Sequence, residues 1–195
     1  MKYLVVGLEA SGTKMVAKYT AMQLGITDKF NDWKGRNRIK NKQNEVIHRS
    51  LPYGTRKTIK DRPYYAVHEH FGLPKEVKII ICIRDITATF LSSLKNHNKE
   101  NIALTVNNMQ TGLKYIYSYL KSKYKCFIFS YEMALFLGIK YFWEINKFFE
   151  LPIYKNKTFE IKNGNFKYYD ITNKIYMSLQ QQKKNKIAKK LLSGV

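Results

Sequence analysis

The segment of the chain with the clearest chemical potential is a turn of small residues between an apolar run and a helical pattern. Residues 3–6 are apolar, Ser11-Gly12-Thr13 forms the turn, and apolar side chains recur at helical spacing over 15–22. The first amides of a helix have no carbonyl partner and lie at the positive end of its dipole, so they bind phosphate or sulfate well. The pattern predicts a buried strand, an anion-binding loop and a helix. The simpler alternative is a strand-to-helix turn capped by Ser or Thr.

The spacing of this loop distinguishes it from that of a nucleotide kinase. Gly7 and Gly12 enclose four residues, as in the Walker A loop, but that loop continues with Lys and then Ser or Thr. Here Thr13 precedes Lys14. Because this inversion moves both the phosphate-binding lysine and the magnesium-binding hydroxyl, the loop suits an anion that needs neither.

A second candidate anion site follows the most apolar run of the chain, VKIIICI at 77–83. Its isoleucines favour a fully buried parallel strand, and ligands bind beyond the carboxyl ends of such strands. Arg84 ends the run, and Ser92 follows eight residues later in a predicted helix. A guanidinium there can bind a phosphate through two N–H groups, and the serine hydroxyl can reach another oxygen. The alternative is an ion pair of Arg84 with Asp85 or Glu132.

The elements that must position these residues alternate between strands and helices. Apolar runs predict strands at 3–6, 46–48, 64–68, 77–83 and 126–132, and periodicity predicts helices from the loop to Leu24 and at 87–95, 102–122 and 139–150. This order predicts an α/β fold: a single-domain parallel β-sheet with helices on both faces. Residues 28–45 are expected to be loop, 28–62 a variable substrate region, and 176–195 a basic helical tail within one domain of residues 1–195.

Composition limits the classes of partner. The net charge of +21 and pI near 9.8 attract anions, but the excess is mostly lysine spread along the whole chain. Because no zinc finger, recognition helix or RNA-binding platform is evident, the charge argues weakly for an anionic ligand and more weakly for nucleic acid.

Two further patterns bear on environment. Cys82 and Cys126 lie in separate apolar runs without metal-ligand spacing, which predicts buried free thiols and no metal site. Glu9 interrupts the apolar start too early for a signal peptide, and no window reaches the roughly 20 apolar residues of a membrane span. We therefore expect a soluble cytoplasmic protein.

Together the two anion motifs resemble those of the sulfotransferase family, which has a P-loop-related fold. Its enzymes transfer a sulfuryl group from 3′-phosphoadenosine 5′-phosphosulfate (PAPS) to a hydroxyl or amine and release 3′-phosphoadenosine 5′-phosphate (PAP), without a metal. The resemblance implies that residues 10–15 bind the 5′-phosphosulfate through Ser11-Gly12-Thr13. It likewise implies that Arg84 and Ser92 hold the 3′-phosphate. The full set of implied PAPS contacts in the loop is Ala10, Ser11, Gly12, Thr13, Lys14 and Met15.

The resemblance continues beyond these motifs and spans residues 3–164 in order. Segment 130–153 is similar to the family's Tyr-Glu segment followed by a helix and Leu-Pro, and Lys162-Asn163-Gly164 resembles its late Arg-Lys-Gly phosphate loop. The chain departs from the family at Ala10, where a Lys or Arg commonly contacts the leaving phosphate. Lys14 is the nearest cation that could replace it.

Transfer to a hydroxyl also needs a group that accepts its proton near neutral pH. His48 precedes Arg49-Ser50-Leu51-Pro52 and resembles the family's strand-end histidine before Leu-Pro, so it is the first candidate. His70 and His68 are the reserve candidates, and Glu69 between them is a further one. Each histidine could also be an ordinary surface residue.

Two other functions remain open on the sequence alone. A small-molecule or nucleotide kinase would share the sheet and the first loop, and a non-enzymatic polyanion- or nucleic-acid-binding protein could retain a degenerate loop. The acceptor of a sulfotransferase could be an anionic glycan, a small alcohol or a protein tyrosine, and residues 28–62 are the expected place for it.

Overall fold

The fold comes from a computed structural model that describes residues 1–27, 38–52, 76–96, 101–153, 161, 163–165 and 168. The chain divides into two compact units, Met1–Lys162 and Asn163–Val195. The predicted segment at 64–68 and the predicted tail at 176–195 lie outside the described residues.

The first unit is an α/β structure around a mostly parallel sheet. Its strands are β1 (Lys2–Leu8), β2 (Arg38–Lys40), β3 (Glu45–Leu51), β4 (Lys78–Ile83) and β5 (Lys125–Ser130). Its helices are α1 (Thr13–Gln23), α2 (Ile86–Asn96), α3 (Ile102–Lys121), α4 (Tyr131–Leu137) and α5 (Ile139–Phe149). The strand order is β2-β3-β1-β4-β5, and β3, β1, β4 and β5 run parallel. The predicted α/β class with a helix-flanked sheet is confirmed.

Helices cover both faces of this sheet. On one face, Tyr3 and Val5 of β1 pack with α1 and α5. On the other face, Leu4 and Val6 pack with Ile116 of α3. Because both faces are buried, β1 and β4 are continuous apolar runs without alternation, which is why the sequence identified them.

The prediction of an all-parallel sheet was wrong at one edge. β2 pairs antiparallel with β3, within residues 28–45 that were expected to be loop. Only Ile39 of this three-residue strand packs against the core, and its neighbours Arg38 and Lys40 are exposed. A single apolar side chain leaves no periodicity to detect.

The strand predicted at 46–48 was too short. β3 continues to Leu51, with Val5 paired to His48, Gly7 to Ser50 and Leu8 to Leu51. The apolar pattern of the sequence stops at Ile47, so the polar residues 48–50 gave no strand signal. Their pairing with β1 nevertheless keeps them in the strand. His48 therefore lies within β3 rather than at its end.

The predicted strand at 126–132 ends earlier and is less buried than expected. β5 is an edge strand, in which only Phe129 is fully buried. Ser130 caps helix α4 by accepting a hydrogen bond from the N–H of Met133 at 3.3 Å, so residues 131–132 are helical rather than extended. Ser130 could have indicated the start of a helix, but it lies in an apolar run that was interpreted as a strand.

One close contact fixes a helix on each face of the sheet. A Cβ on Gly112 of α3 would lie 2.5 Å from Leu8 Cδ2 and 3.0 Å from the Leu51 carbonyl oxygen. On the opposite face, the Tyr19 hydroxyl of α1 donates to Asn146 Oδ1 of α5 at 2.5 Å. α1, whose first turn forms part of the candidate site, is thus fixed to α5.

We predict that Tyr19→Phe lowers the free energy of unfolding by about 1–3 kcal/mol, because it leaves the fully buried Asn146 Oδ1 without its donor. Denaturant unfolding followed by circular dichroism measures this loss. The matched control is Tyr117→Phe, which removes a hydroxyl from a side chain that is 58% exposed. Equal effects of the two substitutions would contradict the role of the buried hydrogen bond.

Candidate anion-binding site

The loop between β1 and α1 leaves helix amides available at the carboxyl end of the sheet. Gly12 is the N-cap of α1 with φ 88°, and no side chain caps the helix. The N–H groups of Met15 and Val16 both bind the Gly12 carbonyl, at 2.9 and 3.2 Å. Among the described residues, nothing accepts a hydrogen bond from the N–H of Thr13 or Lys14. The alternative of a turn capped by Ser or Thr is therefore wrong, and the Met15 amide is already occupied.

Ser11 is buried inside the loop rather than placed as a cap. A Cβ on Gly7 would lie 2.3 Å from Ser11 Oγ and 2.4 Å from the Cys82 carbonyl oxygen. Only glycine at position 7 leaves room for the serine hydroxyl and for the neighbouring β4 backbone. Gly7 thus determines how closely the loop folds back on the sheet.

Arg84 joins the second sequence motif to this loop. It follows β4 directly, and its Nη1 donates to the carbonyl oxygen of Ala10 at 2.7 Å. Ala10 has φ 67°, in the left-handed region that non-glycine residues adopt at a cost of about 1–3 kcal/mol. The guanidinium also lies 4.9 Å from the centre of the Tyr131 ring. Two motifs 74 residues apart in sequence therefore meet at one place.

The carboxylates near Arg84 hold the backbone of the turn after β4. Asp85 Oδ1 accepts from the N–H of Ala88 at 2.7 Å, and Glu132 Oε1 accepts from the N–H of Asp85 at 2.9 Å. These contacts fix the start of α2 relative to Arg84. The sequence proposed both carboxylates only as ion-pair partners of Arg84 and missed this role.

Helix α2 presents adjacent serines on its buried side. Ser92 is buried, and its Oγ accepts from Asn96 Nδ2 at 3.2 Å. Ser93 Oγ donates to Glu9 Oε2 at 3.1 Å and thereby links α2 to the loop. The sequence identified Ser92 from its spacing after Arg84, but it missed the contact that Ser93 makes with Glu9.

His48 lies beside the first residue of α1. Its Nε2 is 2.8 Å from Thr13 Oγ1, so these two side chains share a hydrogen bond. Burial, followed by the charges of Arg49 and Lys14, lowers the pKa of His48 to about 4. The imidazole is therefore neutral at pH 7. One of its ring nitrogens is engaged by the loop, a contact that the sequence did not predict.

Two cations surround this histidine. Arg49 is only 7% exposed, and its Nη1 donates to the His48 carbonyl oxygen at 2.7 Å. Lys14 is exposed in the first turn of α1. The pKa of Lys18, one turn later, is lowered first by the burial of Lys18 itself and then by the charge of Lys14. The sequence noted Arg49 only as part of a motif, because nothing in a sequence marks an arginine as buried.

The remaining site candidates lie outside the described residues or in the second unit. His68, Glu69, His70 and Lys162 lie outside the described residues. Gly164 belongs to the second unit, in which the Asn165 N–H donates to Asn163 Oδ1 at 3.0 Å. Cys82 is buried and Cys126 partly buried, both as free thiols, and burial raises the pKa of each.

Comparisons of this chain with protein-family models, with curated proteins and with solved structures find no match. Among the described helices, none combines the length and the apolar character needed to cross a bilayer.

We predict that His48 does not protonate above about pH 5. Since its pKa is about 4 in the folded chain and near 6.5 when unfolded, the unfolded state takes up a proton first as the pH falls. The unfolding free energy should therefore fall from pH 6.5 to 4 by more in the parent than in His48→Gln. NMR titration of the imidazole measures the pKa of His48 directly. A midpoint near pH 6.5 would contradict the burial of this side chain beside Arg49 and Lys14.

Proposed function

We propose that the chain is a PAPS-dependent sulfotransferase that transfers a sulfuryl group to an acceptor hydroxyl or amine. The observation that carries the proposal is the hydrogen bond from Arg84 to the Ala10 carbonyl. It brings a guanidinium beside a loop whose helix amides lack partners among the described residues. A ligand with two separated phosphate groups suits such a pair of anion-binding elements.

The proposed roles follow the resemblance residue by residue. The N–H groups of Thr13 and Lys14 would bind the 5′-phosphosulfate, because an anion satisfies helix amides that no side chain caps. Arg84 and Ser92 would bind the 3′-phosphate. Ser11 and Gly12 would shape the loop. In this proposal, neither the 5′-phosphosulfate nor the 3′-phosphate needs a metal ion to bind.

The transfer step makes two demands on the chain. Charge develops on the leaving phosphate as its bond to sulfur breaks, and the Lys14 ammonium would neutralise it in place of the residue absent at Ala10. The acceptor hydroxyl must lose its proton as its oxygen bonds to sulfur, and His48 would receive that proton. Its pKa of about 4 makes it available at pH 7, although weakly basic, and Thr13 would orient its ring.

We predict that the protein binds PAP more tightly than AMP or ATP, and without magnesium, because only PAP offers a 3′-phosphate to Arg84. Arg84→Ala should weaken PAP binding by at least tenfold, given the 1.5–3 kcal/mol or so of a charge-assisted contact. AMP binding should weaken less, through the lost support of Ala10 alone. Isothermal titration calorimetry measures all three affinities.

Lys121→Ala is the control for this experiment, because it removes one positive charge from the far end of α3. Equal losses of PAP binding in the two variants would indicate general attraction to a basic protein. Magnesium-dependent preference for ATP would favour the kinase, and binding of a DNA duplex without PAP would favour the polyanion-binding alternative. Any of these three results would overturn the proposal.

We also predict that Lys14→Met lowers the rate of sulfuryl transfer while leaving PAPS affinity within about threefold, because the ammonium acts on charge that appears in the transition state. Adding Ala10→Lys to this variant should restore part of the rate, since it places a cation where the resembled family has one. Single-turnover transfer to a hydroxyl acceptor measures the rate. No loss of rate in Lys14→Met would remove the proposed role.

A further inference from the structure

A small cavity lies next to the candidate anion-binding site, between the ends of β1 and β4 and the helices α2 and α3. Its volume is about 100 Å³. Its apolar walls include Leu8, Leu113 and Ile116, and its polar walls include Ser11, Arg84 and Thr89. None of the evidence for the loop amides or for His48 depends on this cavity.

Two polar side chains of the cavity wall are buried without a hydrogen bond. Ser11 and Thr89 are each 1% exposed, and neither Ser11 Oγ nor Thr89 Oγ1 has a partner among the described residues. A helical threonine can donate its hydroxyl to the carbonyl one turn earlier, as Thr20 and Thr105 do, but Thr89 does not. Because buried hydroxyls are nearly always paired, the hydroxyls of Ser11 and Thr89 require a further partner, either a polar ligand group or ordered water.

An apolar groove continues from this cavity between α2 and α3. It has a volume of about 350 Å³ and shares Ile86 and Leu113 with the cavity. Its other lining residues are Thr87, Phe90, Val106, Met109 and Gln110. No charged side chain lines it, although the chain carries a net charge of +21. Ile86, Val106 and Leu113 are 53%, 41% and 47% exposed, so apolar surface is left open to solvent.

The positive charge of Arg84 in the cavity wall favours a ligand with a negatively charged headgroup. Arg84 contributes a positively charged guanidinium to the cavity wall, and its Nη1 donates to the Ala10 carbonyl oxygen. Two hydroxyl donors and a guanidinium suit a carboxylate, whose two oxygens accept several hydrogen bonds. The groove is suited to an alkyl chain: Val106 to Leu113 span about 10 Å of helix, the length of roughly eight to ten extended carbons.

We propose that this cavity and groove bind a straight-chain fatty carboxylate, with its headgroup at Ser11, Thr89 and Arg84 and its chain between α2 and α3. A mostly apolar pocket with a few placed polar groups is the common construction of a small-molecule site. The site shares Ser11 and Arg84 with the proposed nucleotide site, whereas Thr89 and the groove residues have no part in the transfer reaction.

Decanoate, below its micelle concentration, is the probe for calorimetry and for NMR shifts of α2 and α3. We expect it to bind the full chain, and decyltrimethylammonium, with the same chain and a cationic head, to bind at least tenfold more weakly. Thr89→Val removes the hydroxyl at nearly constant volume and should weaken decanoate binding about tenfold. Val106→Trp should block the groove, whereas Leu120→Trp, on an exposed residue of the same helix outside the groove, should not.

Absence of decanoate binding, equal binding of the cationic probe, or binding unchanged by both Thr89→Val and Val106→Trp would overturn the inference. Ordered water alone would then satisfy the two hydroxyls. PAP titration of the parent separates this result from the proposed function. A parent that binds PAP but not decanoate refutes only the fatty carboxylate site, and a parent that binds decanoate but not PAP refutes only the nucleotide site.

Discussion

The candidate site depends on one contact, the hydrogen bond from the Arg84 guanidinium to the Ala10 carbonyl. Ala10 and Gly12, two residues of the loop before α1, both have positive φ. A backbone in that conformation needs support from its surroundings. Arg84 provides part of it from β4, and Ser93 provides another part through Glu9. In the proposed function, the same arginine that supports the loop would also bind an anionic group of the ligand.

Sheet topology explains why residues so distant in sequence form this contact. β1 and β4 are adjacent and parallel, so their carboxyl ends lie at the same edge of the sheet. β1 leads into the loop and β4 leads into Arg84. β3 pairs with the other side of β1 and carries His48 to Thr13. The order β3-β1-β4 thus assembles the histidine, the loop and the arginine together.

The sequence predicted the parts of this arrangement that depend on strong local signals. β1 and β4 were evident as isoleucine- and valine-rich runs, and the positions of Gly7, Gly12 and Arg84 indicated that the loop and the arginine follow these strands. The anion site at this place stays a prediction. Helices α1, α2, α3 and α5 were predicted to within two residues at each end. The strands could be predicted because burial on both faces of a parallel sheet leaves a continuous apolar run, and the helices because their apolar residues recur at helical spacing.

The features that sequence reasoning missed depend on tertiary contacts. β2 exists because β3 offers it an edge, and β3 extends past His48 because β1 pairs with it as far as Leu51. The burial of Arg49 and the low pKa of His48 arise from the packing around β3. The burial of the Thr89 hydroxyl without a hydrogen-bond partner among the described residues likewise depends on the side chains packed around it. None of these leaves a periodic pattern in the sequence.

We propose that the amides of the loop and Arg84 bind one anionic ligand together, on a chain with a net charge of +21. Titration of the ¹⁵N-labelled protein with PAP tests it most directly, because an anion shifts the amide protons that donate to it. We expect the largest downfield shifts at the N–H groups of Thr13 and Lys14. We expect a much smaller shift at Met15, whose N–H already binds the Gly12 carbonyl. Shifts spread over exposed lysines, with Thr13 and Lys14 unmoved, would contradict it.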